Sequence, residues 1–424
     1  MKNQSRALAV RFLVDLFSDP RNLGSLSQSP KFLELDARDR RFVTELVNGV
    51  LRNRQLLDYY LENLSRTGLE QLDESVLWIL RVALYQVEFL RVPDHAAVNE
   101  AVEMCRQFHK TSARGFVNAI LRSFLREKPL LPEGGSAQAL AVRFSHPEWL
   151  VKRFLRRYGI QQTIALLERN NEPPQPVYWV NVFKTDLPSF CKELDHDQIS
   201  YEIHSSLPNC IIIQSSGFSE HPAYQEGRCF RMDAASQEVA YLGELKDRQV
   251  PGDFCCAPGG KSFLIASQIG EGVKLFCCDV SVSRLKETVS RAQFLEVPNL
   301  NLVHADLRVH PPFQEVFDFI LLDVPCSGLG TLRSNPDIRW KIREGDLNRF
   351  HSLQLSVLGN GFSALRPGGN LTYSTCSTEP EENESVIEEF LAQEEKALPI
   401  GDFHRTFPDP HLGDCFFAAR IRHV

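Results

Sequence analysis

The sequence predicts a multi-domain protein in which an all-helical bundle, a small α+β module and a doubly wound α/β domain follow one another along 424 residues. Apolar residues recur at helical spacing up to about residue 128, a Pro- and Gly-rich segment follows at 128–138, and strands alternate with helices from about residue 250. One hydrophobic core rarely extends over a chain of this length. We therefore predict domains at 1–130, 139–237 and 238–424.

The first domain is predicted from amphipathic helices. Leu8, Phe12 and Leu16 would share one face of a helix that Asp19–Pro20 would stop. The nearly unbroken apolar stretch Ser75–Leu90 predicts the buried central helix of a bundle.

The second domain is predicted from one helix and three short strands. The segment HPEWLVKRFLRRYG reads as a basic amphipathic helix that ends at Gly159. The strands of this module are expected at Val177–Val182, Cys210–Gln214 and Arg228–Asp233.

The third domain is predicted from strand–helix alternation, in which the clearest helix is Asp346–Leu365. Open parallel sheets of this kind bind ligands at the carboxyl ends of their strands. The predicted strands are Gly252–Cys256, Lys274–Cys278, Leu300–His304, Phe317–Leu322 and Asn370–Ser374.

Composition narrows the class of protein. Residues 1–130 hold 19 Lys+Arg against 16 Asp+Glu, whereas the whole chain has a net charge of −7, so RNA contact is weakly favoured in the front part. Eleven cysteines without any C-x-x-C pair argue against a zinc ribbon and favour free thiols in a reducing cytoplasm. No apolar run is long enough for a membrane span. We expect neither a metal nor a membrane partner.

The chemistry-bearing residues follow the predicted strands. The first strand leads into DFCCAPGGKS, in which Gly259 and Gly260 allow close approach of a ligand to the backbone, although no Walker A pattern is present. Asp279 ends the second strand, where a carboxylate can accept from both ribose hydroxyls of a nucleoside or simply cap a helix. Asp306 ends the third strand and is positioned for the adenine amine.

Two cysteines follow the last two strands. Cys326 comes after Pro325, which shapes its turn. Cys376 lies just before a predicted capping box, Thr378–Glu381, so a helix N-terminus would stabilise its thiolate and lower its pKa. Both thiols are candidate nucleophiles.

Together, DFCCAPGGKS, Asp279, Asp306, DVPCSGLGTLRSNPDIRW and YSTCSTEPEEN resemble the RNA cytosine-5 methyltransferases of the NOL/NOP/Sun type. The helical front resembles the antiterminator NusB, and the small module is similar to an RRM. The combination resembles the bacterial 16S rRNA methyltransferase B subgroup, which implies cytosine 967 in the rRNA numbering as the target.

The resemblance implies S-adenosylmethionine as the cofactor and assigns roles by motif. Cys376 would be the nucleophile, Cys326 would assist product release, and Asp323 would line the pocket and stabilise the ring nitrogen. The implied partner is 16S rRNA or a small-subunit assembly intermediate, bound by a monomer. The cofactor contacts would be Cys256, Ala257, Pro258, Gly259, Gly260, Lys261, Asp279, Arg284, Asp306 and Asp323.

The expected reaction needs a thiolate because carbon 5 of cytosine is a poor nucleophile until a nucleophile adds at carbon 6. The cytosine must also leave its stack to reach the site. Three alternatives stay open at this point: Cys326 as the nucleophile, a tRNA or another rRNA site as the substrate, and a non-catalytic ribosome-assembly factor that only binds RNA.

Overall fold

A computed structural model describes residues 2–18, 26, 29–90, 92–215, 217–243, 245, 249–270, 272–309, 313–407 and 413–424. The predicted stop at Asp19–Pro20 lies outside these residues. Within them, no helix is both long enough and apolar enough to cross a membrane. The chain divides into two compact units, residues 1–171 and 172–424, which are described separately.

The first unit is helical, as the sequence predicts. Helix α5 is its central element, because almost every residue between Val76 and Gln86 is buried and the helix packs on α1, α3 and α6. Asp73 starts α5 by accepting hydrogen bonds from the N–H groups of Ser75 and Val76. The helices are α1 (Lys2–Ser18), α2 (Pro30–Leu33), α3 (Ala37–Arg52), α4 (Arg54–Leu64), α5 (Glu74–Phe89), α6 (Asp94–Gln107), α7 (Arg114–Arg126), α8 (Ala137–Arg143) and α9 (Glu148–Asn171).

Helices α8 and α9 are the last elements of the first unit. The Ser145 hydroxyl between them accepts from the Gln55 N–H at 2.9 Å. The predicted end of a helix at Gly159 is confirmed. Gly159 leaves the helical backbone with φ 71° and ψ 176°, and a second helical segment follows it within α9, up to Asn171. The predicted domain boundaries at 130 and 237 stay predictions.

The second unit begins with a small α+β module whose four antiparallel strands have the order β2-β3-β1-β4. Its first strand ends two residues before the predicted Val182, because the Asn181 side chain turns away to donate to the Gly227 and Leu295 carbonyls at 2.8 Å. The elements are β1 (Val177–Val180), α10 (Leu187–His196), β2 (Tyr201–Ile203), β3 (Cys210–Ile213), α11 (Pro222–Gln225), β4 (Cys229–Arg231) and α12 (Ala234–Tyr241).

An eight-stranded sheet forms the rest of the second unit. Its elements are β5 (Pro251–Phe254), α13 (Gly260–Ala266), β6 (Leu275–Asp279), α14 (Val282–Leu295), β7 (Leu300–His304), β8 (Phe317–Asp323), α15 (Ile338–Lys341), α16 (Asp346–Phe362), β9 (Leu365–Thr375), α17 (Glu384–Gln393), β10 (Ala397–Pro399), β11 (His404–Arg405) and β12 (Phe417–His423).

The strand order explains where a ligand site forms. The order β10-β12-β9-β8-β5-β6-β7 contains five parallel strands, β9 to β7, while β12 runs antiparallel to β9 and carries β10 and β11. The chain winds in one direction through β5, β6 and β7 and in the other through β8 and β9. The switch point therefore lies between β5 and β8, where the carboxyl ends of the strands open a crevice. The predicted Rossmann-like sheet is confirmed.

Candidate active site

A cleft of about 380 Å³ lies at the carboxyl ends of the parallel strands. Five strands contribute to it, because the predicted polar and sulfur residues lie at or just beyond the ends of β5 to β9 and all these strands end at one edge. The predicted site residues among those that line it are Ala257, Asp279, Arg284, Asp306, Asp323, Cys326 and Cys376.

The other predicted loop residues lie on a neighbouring cavity. This cavity of about 230 Å³ shares Cys255, Ala257 and Asp323 with the cleft, and Phe230 and Met232 of the small module also line it. Gly259 lines neither cavity. Sequence reasoning missed Cys255, which lines both. The predicted residues found on the second cavity are Cys256, Ala257, Pro258, Gly260, Lys261 and Asp323.

The loop between β5 and α13 has an unusual backbone. Cys255 adopts φ 65° and Gly259 adopts φ 96°, both in the left-handed region. A side chain at Gly259 would be strained in that backbone and would also lie 2.6 Å from the ring of Phe263. The glycine is thus required for the chain to turn from β5 into α13.

Asp279 ties this loop to the next strand. Its side chain is almost fully buried, and its carboxylate accepts from the N–H groups of Ala257 at 3.2 Å and Ser281 at 2.8 Å. Arg284 donates from its guanidinium to the Ala257 carbonyl. Because each carboxylate oxygen has two lone pairs, Asp279 keeps acceptor capacity toward the cleft.

Asp306 is held differently from the other acids. It is paired with Arg308 at 2.6 Å, and the hydrogen bonds from Arg308 lower the pKa of Asp306 to about 2. Arg308 lines the cleft beside Asp306 and was not among the predicted site residues. The carboxylate is therefore charged at neutral pH.

Asp323, at the end of β8, lies between two donors. Lys261 donates to it at 2.7 Å and Ser374 donates to it at 2.8 Å. Burial lowers the pKa of Lys261, but the charge and hydrogen bond of Asp323, together with the nearby Cys376 and Asp253, outweigh burial and leave that pKa above its ordinary value. The Lys261 ammonium also lies 4.9 Å from the centre of the Phe416 ring. A proton is thus held on the lysine, one hydrogen bond away from the Asp323 carboxylate.

The two predicted thiols meet in the cleft. The Sγ atoms of Cys326 and Cys376 are 3.1 Å apart, because the neighbouring strands β8 and β9 deliver them to the same edge. The hydrogen bond with Cys376, together with burial and the nearby carboxylates of Glu382 and Asp323, raises the pKa of the Cys326 thiol well above its ordinary value. Cys326 is therefore protonated at neutral pH.

The predicted capping box after Cys376 is wrong. The Thr378 hydroxyl donates to the side chain of the adjacent Glu379 at 3.1 Å instead of capping a helix. Residues Pro380–Glu382 form a single 3₁₀ turn, and the α-helix starts only at Glu384. The physical reason is that Glu382 is drawn into the protein, where it binds groups next to both cysteines.

Sequence reasoning therefore missed Glu382 and the two serines that it contacts. One signal was available, since Ser327 and Ser377 each directly follow one of the two cysteines. The acid itself lies inside the motif YSTCSTEPEEN, but the motif does not distinguish it from the other glutamates between residues 379 and 384.

Sequence reasoning also missed Asp253, a buried acid next to the site. It is buried in β5, accepts from the Ser262 hydroxyl at 2.5 Å and lines the second cavity. Burial raises the pKa of Asp253 to about 7.

The sheet with its switch-point cleft has a Rossmann-like fold, and the family matches assign the protein to the class of methyltransferases. The family described as 16S rRNA methyltransferase RsmB/F matches residues 240–422, the NusB family matches residues 3–126, and a ferredoxin-like domain of RsmF/B-like methyltransferases matches residues 146–218. The chain belongs to the RsmB/F family of S-adenosylmethionine-dependent rRNA methyltransferases.

Individual relatives agree with this membership. The chain is 32% identical to ribosomal RNA small subunit methyltransferase B of Sodalis glossinidius, over 98% of this chain and 97% of that protein. It is 30% identical to the probable ribosomal RNA small subunit methyltransferase B of Bacillus subtilis, over 96% and 92% of the two chains. The crystal structure of PH0851 has the same fold, with a TM-score of 0.85, 23% identity and coverage of 100% and 99%.

Proposed function

We propose that this protein transfers a methyl group from S-adenosylmethionine to carbon 5 of a cytosine in 16S rRNA, through a covalent bond between Cys376 and carbon 6 of the base. The observation that carries this proposal is the pair of thiols 3.1 Å apart in the same cleft as Asp279 and Asp306. A thiol next to the nucleoside end of the cofactor supports methylation at carbon 5 of a pyrimidine, because that reaction needs a nucleophile at carbon 6, and the motif resemblance assigns the base as cytosine.

The cleft fits the proposed cofactor by the chemistry of its donors and acceptors. Asp279 offers lone pairs to ribose hydroxyls, Asp306 offers a charged acceptor to the adenine amine, and the loop 256–261 borders the path for the methionine part. When bound, S-adenosylmethionine supplies an electrophilic methyl group. These cofactor contacts are those assigned by motif from the sequence.

The side chains of the cleft supply the remaining chemistry. The Cys376 thiolate forms a bond to carbon 6, and the electron pair of the carbon 5–carbon 6 double bond moves toward the ring nitrogen. Lys261 and Asp323 hold a proton between them and supply a hydrogen bond to that nitrogen. This leaves carbon 5 nucleophilic.

Release of the product requires loss of a proton from carbon 5 and expulsion of the Cys376 thiolate. Cys326 is the nearest sulfur group, and it positions a water molecule that accepts the carbon 5 proton while the electron pair of the carbon 6–sulfur bond returns to Cys376. The resemblance by motif supports Cys376 as the attacking thiol, and a nucleophilic cysteine reacts as its thiolate. Eleven free cysteines and an rRNA substrate support action in the reducing cytoplasm.

A labelled-methyl assay tests the proposal. Purified protein should transfer tritiated methyl groups from S-adenosylmethionine to naked or partly assembled 16S rRNA, and bisulfite sequencing should place the mark on one cytosine, with cytosine 967 as the expected site. The Cys376→Ala variant serves as the inactive control. Label on tRNA alone would show that tRNA, and not 16S rRNA, is the substrate. Label on no RNA under any assembly condition would overturn the proposal.

A further inference from the structure

The residues that flank Cys326 are held by one buried acid. The Ser327 N–H donates to Glu382 Oε1 at 2.7 Å, and the Ser327 hydroxyl donates to Glu382 Oε2 at 2.5 Å. On the other side of the cysteine, the Gln354 amide donates both to the Pro325 carbonyl at 3.0 Å and to Glu382 Oε1 at 3.1 Å. Each neighbour of Cys326 is thus connected to Glu382.

The residues that flank Cys376 are held by the same short segment. The Ser377 hydroxyl donates to Glu382 Oε2 at 2.5 Å. The neighbouring Asn383 accepts from the Thr375 hydroxyl at 2.5 Å and donates to the Ser377 carbonyl at 2.9 Å. Glu382 and Asn383 therefore bind the backbone or side chain of both neighbours of this cysteine.

Burial of the Glu382 carboxylate would cost folding free energy without these hydrogen bonds. Its side chain has no exposed surface, and a carboxylate out of water is tolerated only where donors replace its hydration. Here one backbone N–H, two hydroxyls and one amide converge on it. Because β8 and β9 end at Asp323 and Thr375, both cysteines lie beyond the strand pairing, and the sheet alone does not fix their separation.

We propose that Glu382 is a positioning residue that sets the distance between the Cys326 and Cys376 thiols by clamping the two loops that carry them. The proposal rests on the proposed function, in which the two thiols act on one base. Glu382 does not touch the reacting atoms, since its carboxylate is fully occupied by the serines and Gln354 on the inner side of both loops. Without the clamp, the thiols should separate while the cofactor cleft persists.

Thiol cross-linking tests the clamp without RNA or cofactor. Diamide takes two electrons and two protons from a close thiol pair and leaves a disulfide, and peptide mapping by mass spectrometry measures the rate of the Cys326–Cys376 bond. Glu382→Ala should slow this rate at least about 10-fold. It should also lower kcat by about 10- to 100-fold with little change in KM for S-adenosylmethionine, because misplacement of reacting groups acts on the chemical step.

Two further variants interpret the result. Glu382→Gln keeps an acceptor for the Ser327 N–H, and the two hydroxyls can turn to accept from its amide, so it should recover most of the cross-linking rate. Glu388→Gln removes a charge from an exposed site on α17 and should match the wild type in both assays.

Several outcomes would overturn the clamp. A wild-type cross-linking rate in Glu382→Ala would do so, as would equal losses in kcat and in cofactor affinity. If Glu382→Ala fails to fold by circular dichroism, Ser377→Ala removes one of the bonds with less disruption, and an unchanged rate there rejects the proposal. Failure of the proposed function is recognised separately, because a wild-type protein that methylates no RNA can still cross-link its thiols in a Glu382-dependent way.

Discussion

The Sγ atoms of Cys326 and Cys376 lie 3.1 Å apart although 50 residues separate them in the chain. The parallel pairing of β8 with β9 brings them together, since Asp323 is in register with Ser374 and each cysteine follows shortly after its strand. Two sulfur groups at this distance can reach adjacent carbons of one pyrimidine ring. The pair is therefore suited to a reaction in which one thiol attacks and the other assists departure.

Alanine substitution of the two cysteines should give different failures. Cys376→Ala should form no covalent bond to RNA, because no thiolate reaches carbon 6. Cys326→Ala should attack and transfer the methyl group but stall before elimination, so a protein–RNA adduct should accumulate as a slow band on a denaturing gel. Adducts in Cys376→Ala and none in Cys326→Ala would mean that Cys326 is the nucleophile and Cys376 assists release.

Asp279→Ala should weaken cofactor binding. A charge-assisted hydrogen bond is worth about 1.5–3 kcal/mol, so the Kd for S-adenosylmethionine measured by calorimetry should rise at least about 10-fold. Asp195→Ala, at an exposed site in the small module, is the matched control and should leave the Kd unchanged. An unaltered Kd in Asp279→Ala would contradict the assignment of Asp279 to the ribose hydroxyls of the cofactor.

The first unit should contribute RNA affinity through exposed arginines. Arg38 and Arg41 are both exposed on this unit. Removing one arginine that binds a phosphate should flatten the slope of log affinity against log salt by roughly 0.7–0.9.

Filter binding of the Arg38→Gln/Arg41→Gln double variant at several salt concentrations measures this slope. Lys396→Gln, an exposed position near β10 in the second unit, is the control for loss of surface charge. If the double variant keeps the wild-type slope, the two arginines do not contact RNA phosphates.

Asp253 should make the protein less stable as pH rises. Burial raises the pKa of Asp253 from 3.8 to about 7, so between these values the folded protein holds a proton that the unfolded chain releases. Stability is therefore greatest below the unfolded pKa and declines as pH rises through the folded one, by up to about 4 kcal/mol.

Asp253→Asn removes this titration, because its side chain stays neutral. Urea denaturation at about pH 4 and pH 8 should show the variant gaining stability relative to the wild type at the higher pH. Asp195→Asn should show no such gain. A pH-independent difference between Asp253→Asn and wild type would mean that the acid is charged in the folded protein.

Several features could be predicted from single stretches of sequence. The strand Leu300–His304 has its predicted bounds, and the other four predicted strands of the sheet are present with ends shifted by a few residues. The apolar run around α5 was correctly predicted to be the buried centre of the bundle. These predictions succeed because local periodicity reports which side of an element is buried.

The capping box after Cys376 shows why local patterns also fail. The sequence has the residue spacing of a capping box, but Glu382 gains four hydrogen bonds that a regular helix start would forgo, three of them from the distant residues Ser327 and Gln354. Tertiary contacts of this kind outweigh a capping preference worth about 1 kcal/mol.

By itself, the sequence determined the family resemblance and that the candidate site residues follow parallel strands, because the motifs are contiguous and strand ends share one edge. Only the tertiary structure decided the 3.1 Å contact between the thiols, the pairing of Lys261 with Asp323 and the role of Glu382. These depend on which strands are neighbours and on side chains 50 or more residues apart, and no local periodicity encodes such distances.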